Sequence, residues 1–421
     1  MLVPDLLDHL INMTSAMPAF ANLSSLYDDV YQANVSSAVI EVKGERQFVL
    51  SPIVQILYVA LFGGMVVAAI VGNAIVVWIV LAHRRMRSVT NYFLLNLSLA
   101  DMMTATFNTS FNFLYMLESH WAFGKTYCVF NNFVASLTVA SSSFTIAAMS
   151  IDRYFAIVQP LCRRLPRWLA VAIICAIWAC SALLCLPALM YTTTNSYRYP
   201  DRSVRTVCTV VWPNELPPPF VSYTEYVYDI VFLLLTYLVP VLTMAVTYTR
   251  MGMVLWGSKC IGEVTELQRN ALRNKQKVVR MLITVVTLFT VCWLPYHIYF
   301  LYVFHHPNAT YSDYTQHVYL AMYWLAMSHA MYNPMVYYIM NKRFNTYFKR
   351  ILCCCLPRQL AAKCLPNATG RSNEGSRTWT QRFSLKQRRR HSTASKRQRH
   401  DDLNGNPVVH KGSINDGIAC L

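Results

Sequence analysis

Ser150-Ile-Asp152-Arg153-Tyr154-Phe-Ala-Ile-Val158 ends the third of seven long apolar runs. An acid, a permanent cation and a phenol stand together where an apolar run gives way to charged sequence. Ionisable groups at a membrane edge are costly and are kept where they have a role. Outward from this triad, the 421-residue chain is 55% hydrophobic and only 14% charged, against about 25% charged in soluble domains. The apolar residues cluster in Ile53–Ala82, Thr90–Leu117, Cys128–Val158, Trp168–Tyr191, Tyr223–Leu255, Val278–Phe304 and Val318–Met340. Each run reaches the ~20 residues that cross a ~30 Å hydrocarbon layer as a helix. Backbone in lipid must satisfy its own hydrogen bonds, so helices are expected. The expected fold is therefore an all-α membrane protein, a seven-transmembrane helix bundle over residues 51–341.

Charge sets the expected orientation. Arg84, Arg85 and Arg87 follow the first run, Arg163, Arg164 and Arg167 the third, and Lys259, Arg269, Arg273, Lys275 and Lys277 the fifth. The positive-inside rule puts these loops in the cytosol, the N-terminus outside and the C-terminus inside a plasma-membrane protein. Arg198, Arg202 and Arg205 disagree, but Asp201 and Glu215 lie among them and the odd number of spans outvotes them. Residues 1–50 hold three Asn-x-Ser/Thr sequons, at Asn12, Asn22 and Asn34, and Asn308 sits in the last outer loop. An extracellular, glycosylated N-terminal segment is expected. No basic n-region precedes the first run, so that run is expected to act as signal anchor.

Of 13 cysteines, Cys128 and Cys208 alone fall at or beyond the outer edge of the runs. Disulfides need the oxidising side, so one bond between these two is expected.

The net charge of +17 is mostly local. From Lys342 onward there are 17 Lys/Arg and 4 Asp/Glu, a surplus of +13. A basic tail just inside a membrane suits anionic lipid rather than nucleic acid. Phe344, Tyr347, Phe348, Ile351 and Leu352 share one helical face, so residues 342–355 read as a short amphipathic membrane-surface helix, helix 8. Cys353, Cys354 and Cys355 end it and are palmitoylation candidates. Residues 356–421 read as a disordered cytoplasmic tail, with Ser and Thr available to kinases.

Polar residues within the runs need partners. Asp101 is a mid-run carboxylate, and Asn73, Ser142, His329 and Asn333 lie at similar depth. They are expected to form a polar network, with a sodium ion as its one candidate cofactor. Pro240, Pro295 and Pro334 each remove a backbone donor inside a run. Trp293, a bulky indole one turn below the outer cavity and beside Pro295, makes that kink a candidate hinge. No phosphate-cradling glycine loop, zinc-spaced cluster or His-Glu-x-x-His is present, so no enzyme is expected. No internal repeat supports a transporter, and the seventh run has no lysine for a retinal Schiff base.

Gly72-Asn73, Leu99-Ala100-Asp101, Trp121, Cys128, Asp152-Arg153-Tyr154, Trp178, Cys208, Pro240, Cys292-Trp293-Leu294-Pro295 and Asn333-Pro334-x-x-Tyr337 occur in this order. The ordered set resembles the rhodopsin-like (class A) G-protein-coupled receptors over about residues 50–355. Asn91-Tyr-Phe-Leu-Leu-Asn96, Trp256-Gly-Ser258, Trp293-Leu-Pro-Tyr-His-Ile298 and Tyr323-Trp-Leu-Ala-Met-Ser328 are similar to tachykinin receptors. Val254-Leu-Trp-Gly-Ser-Lys-Cys-Ile-Gly-Glu263 is similar to their arthropod members, and Cys128-Val-Phe-Asn-Asn-Phe133 with His329 favours the natalisin-like side.

The resemblance implies an amidated neuropeptide ligand, coupling mainly to Gq with phospholipase C and calcium downstream, and arrestin and receptor kinases as further partners. It implies a peptide pocket of Asn108, Asn112, Tyr115, Asn131, Asn132, Tyr296, His297, Phe300 and Tyr319. Aromatic faces mixed with amides suit a peptide carrying Phe and a terminal amide. Arthropod peptides of this group end in Arg-amide, so an acid is expected nearby. Glu118 is favoured over Glu225 and Asp313. Asp152, Arg153, Tyr154, Tyr248, Trp293, Pro295, Asn333, Pro334 and Tyr337 are implied to switch the G-protein end. Lys275 and Lys277 stand where an acid would latch Arg153, so the latch is expected to lie between Arg153 and Asp152 alone. A receptor for another amidated peptide, of neuropeptide Y-like or RYamide type, is the alternative.

Overall fold

The computed structural model describes residues 40–41, 51–159, 165–213, 223–257, 266–306 and 314–354. Asn12, Asn22, Asn34, Asn308, Asp313 and Cys355 lie outside them.

The first span is the helix Pro52–Ala82, opened by a proline whose missing N–H would be unpaired there anyway. The second runs from Val89 to Glu118 and is capped by Ser88 Oγ accepting from the Asn91 amide. It is divided by a π-helical stretch, Thr104–Thr109. The third is Gly124–Val158, the fourth Arg167–Leu184 and the fifth Tyr223–Gly257. The sixth, Glu266–His305, begins well before the apolar run that announced it. The seventh is Thr315–Met340, and a last helix covers Lys342–Cys354. Among the described residues, five of these helices are long and apolar enough to cross a membrane by length and composition alone. The π-helical stretch divides the second, and the seventh carries buried Ser328, His329 and Asn333.

Between the fourth and fifth spans a short helix, Leu186–Tyr191, leads into strands β2 (Thr192–Arg198) and β3 (Val204–Val210). They form an antiparallel hairpin, and β1 (Ile40–Glu41) adds to β2 in parallel. A disulfide joins Cys208 on β3 to Cys128 on the third span. The Trp121 amide donates to the Thr206 carbonyl at 2.8 Å, fastening the hairpin to the same end of the bundle.

Proline explains much of the packing between spans. A proline at position i orphans the carbonyl at i−4, and a buried carbonyl needs a donor. For Pro334 that carbonyl belongs to Ala330, and Asn73 Nδ2 of the first span donates to it at 2.9 Å. Next to it, Gly72 admits the Pro334 ring. A Cβ there would lie 2.7 Å from Pro334 Cγ. For Pro240 the orphan is the Thr236 carbonyl, and Ser143 Oγ of the third span donates to it. The backbone just before Pro240 is π-helical, Leu234–Leu238. Near Pro295, the Tyr237 hydroxyl donates to the Thr290 carbonyl at 3.0 Å. Buried Asn96 ties three spans by accepting from Trp178 Nε1 at 2.7 Å and donating to Thr145 Oγ1 at 2.8 Å.

Candidate functional site

At the disulfide end the spans splay around a cavity of about 390 Å³. Seven of the residues expected there line it: Asn108, Asn112, Asn132, Tyr296, His297, Phe300 and Tyr319. Amides from the second and third spans face aromatic rings from the sixth and seventh. Asn131 Nδ2 donates to Asn112 Oδ1 at 2.9 Å, and Asn112 Nδ2 donates to Asn108 Oδ1 at 2.6 Å. This relay fixes the two lining amides from behind, and Asn131 itself is fully buried outside the lining. Asn132 Nδ2 donates to Cys208 Sγ at 3.2 Å, so the disulfide also positions a cavity amide.

Tyr115 and Glu118 fall outside the lining. Tyr115 packs edge-on against Trp121 at 5.7 Å, where Arg205 of β3 donates to the Ser119 carbonyl at 2.6 Å. Glu118 is exposed at the end of its helix. The carboxylates that do line the cavity are Glu225 and Asp229, one turn apart on the fifth span. Trp212, between β3 and the fifth span, lines it too. Sequence reasoning weighed Glu225 and overlooked Asp229 and Trp212. The signal was present in Tyr223-Thr-Glu225-Tyr-Val-Tyr-Asp229, whose two acids share a helical face.

Trp293 also lines the cavity. Its ring centroid lies 5.7 Å from Tyr296 and 5.9 Å from His297 above, and 5.5 Å from His329 below. His329 Nε2 is 3.5 Å from Asp101 Oδ1. Asn333 Nδ2 donates to Asp101 Oδ2 at 2.7 Å, and Ser142 Oγ meets Oδ1 at 3.5 Å. A continuous path of packed side chains thus joins the cavity to the fully buried Asp101. Asn73, expected in this network, gives its amide instead to the Ala69 and Ala330 carbonyls. Hard cations such as sodium take oxygen ligands. Asp101, Ser142 and the carboxamide oxygen of Asn333 would supply them, and Asn73 Oδ1 is buried without a partner among the described residues, while His329 presents a nitrogen at the carboxylate.

At the other end Arg153 Nε and Nη2 donate to Asp152 Oδ2 at 3.0 and 2.5 Å. Among the described residues this is the ion pair Arg153 makes. The sixth span offers Lys275 and Lys277 to the two cavities beside Arg153, and no acid. Tyr154 stacks edge-on against Phe155. Tyr248 is buried close enough to Arg153 and Tyr337 for electrostatic interaction. Tyr337 is fully buried, and its hydroxyl has no partner among the described residues. Trp293 and Pro295 on the sixth span, and Asn333 and Pro334 on the seventh, lie between these two ends.

The family "7 transmembrane receptor (rhodopsin family)" matches residues 72–337. The tachykinin-like peptides receptor 86C of Drosophila melanogaster is 50% identical over 299 residues, 71% of this chain and 59% of that receptor. The tachykinin-like peptides receptor 99D of the same fly is 43% identical over 357 residues, 84% of this chain and 68% of the relative. The substance-P receptor of Homo sapiens is 41% identical over 310 residues, 74% of each chain. The matched stretch thus spans as little as 59% of the length of these curated relatives. They are multi-pass membrane receptors, not enzymes. On the match across residues 72–337 and on these relatives, the chain belongs to the rhodopsin family of seven-transmembrane receptors, within its tachykinin-receptor branch.

Proposed function

We propose that the chain is a plasma-membrane receptor for an amidated tachykinin-like neuropeptide, of tachykinin or natalisin type. It signals mainly through Gq to phospholipase C and calcium. The observation that carries this reading is the cavity at the disulfide end. Asn108 and Asn112 offer amide donors and acceptors opposite the faces of Tyr296, Phe300 and Tyr319, which suits a peptide with a Phe side chain and a terminal amide. The tachykinin-like relatives support the ligand class. The disulfide end faces outward, because a disulfide needs the oxidising side and Arg84, Arg85 and Arg87 cluster at the other end.

Peptide binding stabilises a minor conformation rather than creating a new one. Contacts on Tyr296, His297 and Trp293 bias the sixth span at Pro295. The inner end of that span swings out, Arg153 leaves Asp152 for the G protein, and Tyr248 and Tyr337 pack beside it. Helix 8 and the basic tail lie against anionic lipid, and receptor kinases and arrestin act on the tail. The test is a calcium assay in transfected cells against tachykinin-, natalisin-, neuropeptide Y-like and RYamide-type peptides. The first two should act at concentrations at least about tenfold lower, a preference of about 1.4 kcal/mol. Responses confined to the RYamide or neuropeptide Y-like set would replace this reading with the alternative.

The latch gives a second expectation. The side chains of Arg153 and Asp152 are 23% and 10% exposed, and a partly exposed pair contributes only ~0.5–1 kcal/mol. Asp152→Asn should therefore raise basal inositol phosphate about two- to fivefold. Unchanged basal output at matched surface expression would show that packing alone holds the resting state.

A further inference from the structure

We infer that Asp229 recognises a positively charged group on the ligand, an ammonium or a guanidinium, inside the cavity at the disulfide end. The inference deepens the peptide-receptor reading and rests on it. Asp229 lies on the fifth span, an exposed residue within the cavity lining. It is near enough to Tyr228 and Tyr296 to interact with them electrostatically. Among the described residues it makes no ion pair, and no Lys or Arg lines this cavity.

A neutral ligand drawn over this carboxylate would strip its water and return nothing. A cationic group replaces that water with a charge, so the carboxylate selects for cations by penalising everything else. The surrounding rings add to this, since guanidinium and ammonium groups lie favourably on aromatic faces.

A second observation at the same cavity points to a ligand. Trp293, 3% exposed, lines the cavity, and its indole N–H has no hydrogen-bond partner among the described residues. A buried donor without an acceptor is destabilising, and a carbonyl of an inserted peptide end that reached it would relieve that. An unused donor thus sits on a residue of the cavity wall, the amides of Asn108 and Asn112 belong to the same lining, and Asp229 is, among the described residues, an unpaired anion on the fifth span. A peptide end that joins an amide or carbonyl to a cationic side chain meets both. Glu118, outside the lining, meets neither condition.

The test compares two synthetic peptides, one ending in Arg-amide and its twin ending in citrulline-amide, which keeps the shape and removes the charge. Calcium potency is read on surface-matched, epitope-tagged receptors. The wild type should prefer the Arg-amide peptide about 10- to 100-fold, at and below the lower end of what losing one partner of a fully buried charge pair costs, because Asp229 is partly open to water. Asp229→Asn should abolish that preference by weakening the Arg-amide peptide while its neutral twin gains or holds potency, and Asp229→Glu should retain most of the preference. Asp229→Ser serves as a second neutral variant if Asp229→Asn fails to reach the surface. A wild type that treats the twins alike overturns the inference. So does an Asp229→Asn receptor that still discriminates while Glu225→Gln or Glu118→Gln does not. Both outcomes leave the peptide-receptor reading standing. A wild type that answers neither peptide, nor any amidated peptide, overturns the reading and the inference together.

Discussion

Replacing Cys128 with Ser is expected to remove peptide binding, with affinity falling at least about 100-fold or the receptor failing to reach the surface. The bond to Cys208 closes a chain separation of 80 residues. In the chain-entropy account a cross-link of that span contributes roughly 4 kcal/mol. Its local effect adds to this. β3 carries Cys208 and leads to Val210 and Trp212, both in the cavity lining, and Asn132 hydrogen-bonds the Cys208 sulfur. Without the bond the hairpin is held by weaker ties, chiefly the Trp121–Thr206 and Arg205–Ser119 hydrogen bonds. The cavity then loses one wall and one positioned amide together. Cys208→Ser should match Cys128→Ser, and the double variant should be no worse than either, because both act on a single bond. Surface immunostaining with saturation binding of a labelled peptide measures this. Single variants that bind like the wild type would show that the hairpin holds itself.

How much of this was legible in the sequence follows from where each constraint originates. The spans were legible because lipid imposes length and apolarity residue by residue. The lower half of the sixth helix was not. From Glu266 to Lys277 it is charged and stands clear of the apolar run, so hydropathy is blind to it. The neighbours of Asp101 were legible because a buried carboxylate must find polar groups at its own depth, and Asn333, Ser142 and His329 were the available ones. Asn73 was assigned to that set and went to a carbonyl freed by proline instead. Depth alone does not separate these two demands. The π-helical stretches at Thr104–Thr109 and Leu234–Leu238 were not anticipated, because apolar composition and helical periodicity do not register one extra residue in a turn. Asp229 went unnoticed because a single acid near the start of an apolar run carries no signal of which way it faces. Only the fold shows that its face of the fifth span turns toward Tyr296.

Gly72→Leu should be as damaging as loss of the disulfide, through packing alone. A Cβ at residue 72 would sit 2.7 Å from Pro334 Cγ and 3.0 Å from Pro334 Cβ. A pyrrolidine ring cannot swing aside as a flexible side chain can, so the first and seventh spans would have to separate. Overpacking of this kind typically costs about 1–3 kcal/mol. Separation also pulls Asn73 away from the Ala330 carbonyl, leaving a buried acceptor unpaired at a further cost of about 1–3 kcal/mol. The damage would spread, because Ala330 adjoins His329 and Asn333 lies one turn on, the two seventh-span contacts of Asp101. Surface expression should fall to about a tenth or less of wild type, given that about 1.4 kcal/mol is a tenfold change in an equilibrium. Thermal inactivation of the solubilised receptor should shift downward in step. Gly72→Ala should show a smaller loss, and adding Pro334→Ala to it should recover part of that loss. Gly63 and Gly64 of the same helix provide the control. A Cβ at either meets nothing within 4 Å, and alanine is the better helix former by about 1 kcal/mol. Gly63→Ala and Gly64→Ala should therefore be neutral or stabilising. If all three alanine variants lose expression alike, the cause is glycine's backbone and not the Pro334 contact. If Gly72→Leu is tolerated, the close approach of these spans is not what holds the bundle together.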